Sequence, residues 1–288
     1  MIGRIIKSLA GFYYVETEKG VIETRARGNF RNQKLSPKVG DKVEISLNGK
    51  TGAVEKIYPR KNELSRPPVS NIDNLYIVVS TTSPEPRLSV IDEIIVLAER
   101  ANITPIIVIS KTDLVKIPEL CETYKKAGFE VFDANDDYEK IKASMVGKLS
   151  AFTGNSGVGK STLLNRINPE LKLETGEISE KLGRGRHTTR TVEILKTEDG
   201  AFAIDTPGFS INPDDIPPIF KDEMQDFFRE FNPYKDSCLF RGCSHRTEKG
   251  CAVLKALGEG KIAPSRHQSY LYLYSKVENL KKWEMKRN

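Results

Sequence analysis

No apolar run in the 288-residue chain approaches the roughly 20 residues that a membrane span requires, which excludes a transmembrane helix. The N-terminus lacks the charged-then-apolar pattern of a secretory signal, and no low-complexity tract or internal repeat is present. A soluble, cytoplasmic protein with no membrane partner is expected. Cysteine and histidine are scarce, with four and three copies. That scarcity makes their placement informative: Cys238, Cys243 and Cys251 fall within 14 residues, together with His245. In a reducing compartment such a cluster reads as metal binding before disulfide bonding. Acidic residues run short in one region. Residues 1–68 hold 14 Lys/Arg against 7 Asp/Glu, so the net charge of +6 belongs to the N-terminal segment and the remainder sums to −1.

The length suggests two or three domains, and 38% hydrophobic residues suffice for packed cores. Residues Gly154-Asn155-Ser156-Gly157-Val158-Gly159-Lys160-Ser161-Thr162 form a complete G-x-x-x-x-G-K-[ST] phosphate loop. A short apolar strand (Leu149–Thr153) precedes it and a helix starting near Thr162 follows, the setting this motif needs. Its glycines let successive N–H groups turn inward around an anion, and the opening helix adds its positive dipole end. Lys160 is placed to reach the β- and γ-phosphate oxygens, and the Ser161 hydroxyl to ligate Mg²⁺.

Five short strands are expected near Arg4–Ser8, Phe12–Glu16, Val21–Arg25, Lys42–Leu47 and Thr51–Tyr58, with Asn48-Gly49 as a hairpin turn. Five strands in so short a segment suit a small barrel of the OB type. The loop between the third and fourth carries Arg27, Arg31, Lys34 and Lys38 with no acidic residue before Asp41, which fits contact with a phosphate backbone. Phe12, Tyr13 and Tyr14 offer either a stacking face for bases or, with Phe12 and Tyr14 turned inward, part of the barrel core. Pro59 through Pro68 reads as a linker.

Beyond it, the continuous apolar run Leu75–Val79 is a strand buried on both faces. A helical pattern through Leu88, Ile91, Ile94, Ile95 and Ala98 and a second buried strand, Ile106–Ile109, indicate a parallel sheet with crossover helices. Ser110-Lys111-Thr112-Asp113 lies at the carboxyl end of that strand, where ligands of open α/β sheets sit. A carboxylate there accepts from N1–H and the exocyclic amine of guanine, donors that adenine does not present together. The motif is similar to the [NT]-K-x-D of GTPases, with Ser110 where Asn is usual, so Asp113 is the discriminating group. A helix over Ile117–Ala127, with Cys121 as a small buried hydrophobe, leads to a strand at Glu130–Phe132. Asp133-Ala134-Asn135 follows, a poor match to the Ser-Ala-Lys-like segment that touches the base in GTPases.

The base motif precedes the phosphate loop here, the reverse of the usual GTPase order. Neighbouring parallel strands keep their ends together whichever the chain visits first, so a circular permutation preserves the site. Gly183–Arg190 is Gly-rich and basic and fits a switch loop. Thr189, or its neighbour Thr188, is suited to completing the Mg²⁺ shell while the γ-phosphate is present. Strands at Val192–Leu195 and Ala201–Ile204 follow. Asp205-Thr206-Pro207-Gly208 then supplies a D-x-x-G, Asp205 reaching the Mg²⁺ water shell and Gly208 N–H the γ-phosphate. Phe209 stands where Ras-like enzymes carry the Gln that orients the attacking water, and phenylalanine neither donates nor accepts. His187 is a candidate for that role, an RNA or surface contact being its other reading. After the boundary at Asp214–Pro218, a helix is expected around Phe220–Phe231. Cys238, Cys243, His245 and Cys251 suit tetrahedral Zn²⁺ in a closed structural site. A Lys-rich terminal helix is expected to pack through Tyr270, Leu271, Val277 and Leu280.

With base motif, phosphate loop, D-T-P-G and Cys/His cluster in this order, the chain resembles the circularly permuted GTPases called ribosome small subunit-dependent GTPase A (the RsgA, YjeQ or YloQ family). The resemblance runs over essentially the whole length. It implies an α/β fold: a circularly permuted P-loop GTPase core (69–215) between an N-terminal OB barrel with its linker (1–68) and a mainly helical, zinc-binding domain (216–288). It further implies an acid-anhydride hydrolase converting GTP to GDP, with a structural Zn²⁺, Mg²⁺ carried with GTP, and the small ribosomal subunit and its rRNA as partners, acting as a monomer in late subunit maturation. The expected GTP-binding set is Ser110–Asp113, Gly154–Thr162, Asp205 and Gly208. Lys160, Thr189 and His187 are the expected catalytic residues, and Ser161, Thr189 and Asp205 the magnesium residues. Two rival readings are a P-loop ATPase or small-molecule kinase, against which Asp113 argues, and a non-catalytic RNA-binding assembly factor, against which Lys160, Ser161 and Asp205 argue.

Overall fold

A computed structural model of the chain describes residues 1–27, 30, 35–49, 51–169, 192–196, 200–205 and 209–281. The first five strands are β1 (Ile2–Leu9), β2 (Phe12–Thr17), β3 (Gly20–Ala26), β4 (Lys42–Asn48) and β5 (Thr51–Ile57). They run in the order β1-β2-β3-β5-β4, and β4 pairs back onto β1 to close the barrel. Period-2 alternation fills the interior: Ile5, Val15, Val43, Ile45 and Val54 point inward. Tyr13 packs on that core while Phe12 and Tyr14 take the outer face, so their inward reading is overturned. There Arg25 lies over the Phe12 ring at 4.3 Å and Tyr14 donates to Glu23 at 3.1 Å.

The stretch expected as a linker is packed structure. It forms the hairpin β6 (Glu63–Ser65) and β7 (Pro68–Ser70), with Leu64 and Val69 buried. Asp41, fully buried, accepts from Arg60 Nε (2.7 Å) and Nη2 (2.8 Å), from Lys38 N–H (2.7 Å) and from Ser70 Oγ (2.6 Å). Gly40 allows this closeness. Its φ is +94°, and a Cβ there would lie 2.0 Å from the Ser70 carbonyl.

The core sheet contains β8 (Asn74–Ser80), β9 (Thr104–Ser110), β10 (Val131–Asp133), β11 (Leu149–Thr153), β12 (Glu193–Lys196) and β13 (Phe202–Asp205). Their order is β10-β9-β8-β11-β13-β12, parallel except for β12. The chain therefore inserts its later strand β11 beside its first, β8. Helices α1 (Leu88–Arg100), α2 (Pro118–Lys126), α3 (Tyr138–Met145) and α4 (Lys160–Ile167) serve this sheet. Beyond the core sheet, β12 also pairs with β1 through Lys7 and Glu193, so barrel and core share one continuous sheet. The seam carries the ion pairs Lys7–Glu193 (2.8 Å) and Lys196–Glu16 (2.6 Å), and Arg4 covers the Phe202 ring at 4.7 Å.

The C-terminal unit has two α-helices among its described residues, α5 (Ala252–Gly258) and α6 (Pro264–Val277). The helix expected over Phe220–Phe231 is instead a chain of tight turns, with 3₁₀ segments at Met224–Phe227 and Arg229–Phe231. Phe228 and Phe231 both pack against Tyr270 from these turns. Of the face expected for the terminal helix, Tyr270 is buried and Leu271 and Val277 pack beside it, joined by buried Arg266, Leu273 and Tyr274; Leu280 lies beyond α6 and is exposed. Arg266 is 1% exposed and bridges the unit to the core. It donates to Glu230 Oε1 (2.7 Å) and Oε2 (3.2 Å) and to Asp92 Oδ1 on α1 (2.6 Å). Breaking such a buried group strands charge without a partner. Arg266→Met keeps the volume and removes the cation. It is expected to lower stability by about 3–5 kcal/mol, seen as a lower urea midpoint; a shift below about 1 kcal/mol would mean that the triad is not what fastens α6 to α1.

Candidate nucleotide site and metal centre

The carboxyl ends of β9, β10, β11 and β13 fall on one edge of the core sheet, which brings Ser110, Asp133, Thr153 and Asp205 together from four separate parts of the sequence. From β11 the chain enters the phosphate loop and α4 begins at Lys160. Gly154 has φ +144°, and a Cβ on it would lie 2.4 Å from the Val78 carbonyl, so the loop lies against β8 only because that side chain is missing. Lys160 Nζ donates to the carbonyls of Gly154 and Asn155, each at 2.7 Å. Burial pulls its pKa down, because desolvation disfavours the charged ammonium. Val158 is buried and anchors the loop, while Ser161 and Thr162 open α4 beside Asn155, Ser156, Gly157 and Gly159. The α4 N-terminus directs its dipole into the cradle.

The end of β9 is bound directly to this loop. Ser110, 5% exposed, donates its hydroxyl to the Val158 carbonyl at 2.6 Å and lies 3.2 Å from Val79 O. Lys111 has φ +60°, and its Nζ donates to Ser83 O at 2.5 Å. Asp113 is exposed at the mouth of the site, and Thr112 donates to Asp133 at 2.9 Å. Asn135, which the poor motif match gave no reason to single out, donates from Nδ2 to Asp113 Oδ1 at 3.1 Å. Arg166 on α4 was also missed. It stacks on Tyr138 at 4.3 Å and reaches the carbonyls of Ala134 and Asn135 at 3.4 Å, bracing the loop after β10 from α4.

Phe209 is 3% exposed and belongs to the core, its carbonyl accepting from Thr153 Oγ1 at 2.7 Å. Its side chain therefore takes no part in the site. His187, Thr188, Thr189 and Gly208 lie outside the described residues, as does the side chain of Asp205, whose backbone ends β13 at the common edge. Of the basic loop, Arg31 and Lys34 also lie outside them. Arg27 pairs with Glu55 at 2.7 Å. Lys38 is not a free loop charge: it turns inward, 15% exposed, to Leu64 O (2.9 Å) and Glu63 (3.3 Å), because the β6 hairpin offers it two acceptors.

Cys238, Cys243, His245 and Cys251 place one donor atom each within 4.8 Å of one another, a set that could hold one metal ion. His245 Nδ1 lies 3.6 Å from Cys238 Sγ and 3.3 Å from Cys251 Sγ, while its Nε2 lies 2.7 Å from Gln225 Oε1. The Gln225 oxygen can only accept, which fixes the proton on Nε2 and frees Nδ1 as the ligand. Burial lowers the His245 pKa and so favours the neutral, ligating imidazole. Burial and the crowding of neighbouring thiols push Cys243 up to about 12, so the thiolates need a cation among them. Three thiols and one imidazole suit Zn²⁺ and fill its tetrahedral shell.

A parallel sheet presenting a phosphate loop and an S-K-x-D motif on one edge, with the strand order permuted, defines a circularly permuted P-loop GTPase. The chain belongs to the RsgA GTPase family: residues 57–212 match the RsgA GTPase family model and residues 2–54 the model of the RsgA N-terminal domain. It is accordingly a hydrolase acting on GTP. It is 44% identical to the small ribosomal subunit biogenesis GTPase RsgA of Caldanaerobacter subterraneus subsp. tengcongensis, over 97% of each chain. With its namesake from Alkaliphilus metalliredigens the identity is 43%, covering 98% of this chain and 99% of the relative. Among solved structures, YjeQ from Thermotoga maritima superposes with a TM-score of 0.81 at 33% identity, covering 97% of this chain and 99% of that one. The circularly permuted GTPase YloQ superposes at 0.80 and 35%, covering 97% and 96%.

Replacing Gln225 by Leu removes the acceptor that orients His245 and leaves all four donors in place. A loss of about 10–100-fold in Zn²⁺ affinity is expected, measured by competition with a chromogenic chelator; unchanged affinity would mean that the ring is fixed by packing against Phe231 and Tyr270 alone.

Proposed function

We propose that this chain hydrolyses GTP to GDP and phosphate as a switch in late assembly of the small ribosomal subunit, and that the subunit stimulates the reaction. The observation that carries this reading is the buried Ser110–Val158 hydrogen bond, which joins the segment leading to Asp113, the residue assigned to guanine, to the phosphate loop on one sheet edge. The names of the relatives, which place those proteins in small-subunit biogenesis, support the choice of partner. The lack of any membrane-spanning helix among the described residues accords with a cytoplasmic factor.

In this mechanism Lys160 exchanges the two loop carbonyls it now holds for β- and γ-phosphate oxygens. The loop N–H groups and the α4 dipole stabilise charge as it develops on the transferring group. Ser161, Thr189 and, through water, Asp205 are assigned to Mg²⁺, which when bound neutralises the β- and γ-oxygens. Gly208 N–H is assigned to the γ-phosphate. Buried Phe209 leaves the attacking water without the usual amide, so His187 or a group of the subunit orients it. One structural Zn²⁺ is assigned to the Cys/His cluster. The basic barrel contributes rRNA contacts through its loop, with Arg27, Arg31 and Lys34 as the assigned residues; Lys38 is committed to the β6 hairpin.

Turnover of GTP and ATP, with and without purified small ribosomal subunits and with Lys160→Ala as the blank, tests the proposal. The expected outcome is slow hydrolysis of GTP alone, rising at least about tenfold with the subunit, which is ~1.4 kcal/mol off the barrier. Equal use of ATP would overturn the base assignment, and indifference to the subunit would overturn the partner.

A further inference from the structure

Arg266 holds α6 against α1 through Asp92, and where the two helices meet, several of their residues are small. Ser89 on α1 and Ser265 and Ser269 on α6 are too short to fill the space there, and a cavity of about 340 Å³ is left. Leu88, Gln268 and Tyr272 complete its lining, and Ser269, 3% exposed, is the most deeply buried of the six. Ser265, Gln268, Ser269 and Tyr272 recur at helical spacing, so one face of α6 forms most of the wall. The volume lies at the small end of the range for ligand pockets, roughly 300–1,000 Å³. It has room for a single heterocycle.

None of the six residues carries a charge, so nothing in the lining offsets the desolvation of an ion. What it offers is hydrogen bonds and an aromatic ring. Among the described residues, the side chains of Ser89, Ser265 and Gln268 have no hydrogen-bond partner, and the Gln268 amide presents both donors and an acceptor. Tyr272 is 48% exposed. Lys276, one turn further along α6, lies over its ring at 4.5 Å and is itself held by Glu93 at 2.8 Å. Ser265, Gln268 and Ser269 lie on the other side of Tyr272 along the helix, so the ring is braced from one side and meets the cavity on the other. A flat, uncharged ligand with polar edges uses both features, the ring by stacking and the amide by edge contact, and a nucleobase is such a ligand. Arg87, the residue before α1, is exposed and has no acidic partner among the described residues, which supplies a cation at the rim for a flanking phosphate. We infer that this cavity captures an unpaired nucleobase of single-stranded RNA, stacked on Tyr272 and bonded along its edge by Gln268. The inference rests on the assembly-factor reading for its choice of partner, and it adds an RNA contact outside the barrel.

The test measures, by fluorescence anisotropy, binding of labelled hexa-adenylate and of an abasic hexamer with the same backbone to the full-length, GDP-saturated protein. Phosphate contacts, those of the barrel included, are common to both strands, so the ratio of the two affinities isolates base capture. Wild type is expected to bind hexa-adenylate about tenfold more tightly than the abasic strand. Tyr272→Ala is expected to bring that ratio near one and Gln268→Ala to lower it about threefold, each leaving affinity for the abasic strand unchanged. Tyr272→Phe keeps the ring and should keep most of the preference. Ser265→Leu narrows the cavity with ring and amide still in place, and should remove the preference as Tyr272→Ala does. Gln268 and Tyr272 are exposed and Ser265 half-buried, so none of these changes opens the core. Equal binding of the two strands by wild type, or a ratio that Tyr272→Ala, Gln268→Ala or Ser265→Leu leaves unchanged, would overturn the inference. No subunit and no GTP turnover enters this assay, so its failure leaves the assembly reading standing, and turnover indifferent to the subunit would overturn that reading without touching the cavity.

Discussion

A hydroxyl-to-carbonyl hydrogen bond of 2.6 Å, from Ser110 at the end of β9 to Val158 in the phosphate loop, sets the distance between the two halves of the nucleotide site. It is buried, so water does not compete with it, and it ties the end of β9 to the loop that leaves β11 of the same sheet. The spacing between base and phosphates thus follows from strand spacing and this one contact. Ser110 takes this bracing role with a side chain shorter than the asparagine usual at its position. The permuted chain order costs the site nothing, because adjacency in a parallel sheet depends on which strands pair and is blind to the order in which they were made.

The phosphate loop, the barrel strands and the buried parallel strands were legible in the sequence because each signal is local: a fixed spacing, an alternation, an unbroken apolar run. Features that depend on partners far along the chain were not. Lys38 looks like one of four free loop charges until Glu63 and Leu64 fold back over it, and Arg60 sits in a Pro-rich stretch whose packing is decided by Asp41. Phe220–Phe231 carries apolar residues at helical intervals, yet Gln225 is drawn to His245 and Glu230 to Arg266, and these two long-range bonds favour successive turns. Asn135 lay in a poor motif match that gave no reason to single it out. Its contact with Asp113 arises only because the loops that follow the paired strands β9 and β10 lie side by side.

Two buried ionic groups fasten the flanking units to the core, Asp41–Arg60 at the barrel and Arg266 with Asp92 and Glu230 at the metal-binding unit. Apolar replacements of equal volume could give as much stability, since desolvating charges offsets their attraction. What ionic groups of this kind add is a directional constraint. Arg266 satisfies two carboxylates from two different units only in one arrangement of α6 on α1, so the metal-binding unit rests on the helix that follows β8 in a defined orientation.

The pairing of β1 with β12 has a consequence for how the chain is made. The barrel can close early, since β1, β2, β3, β4 and β5 all lie within the first 57 residues and β4 completes the ring. The outer side of β1 has to wait for Glu193, some 186 positions after its partner Lys7, and Arg4 for Phe202. A contact of that separation carries a large loop-closure cost and forms late. The seam between barrel and core is therefore a closing step of folding: β1 reaches its final set of neighbours only once β12 has been delivered to the sheet.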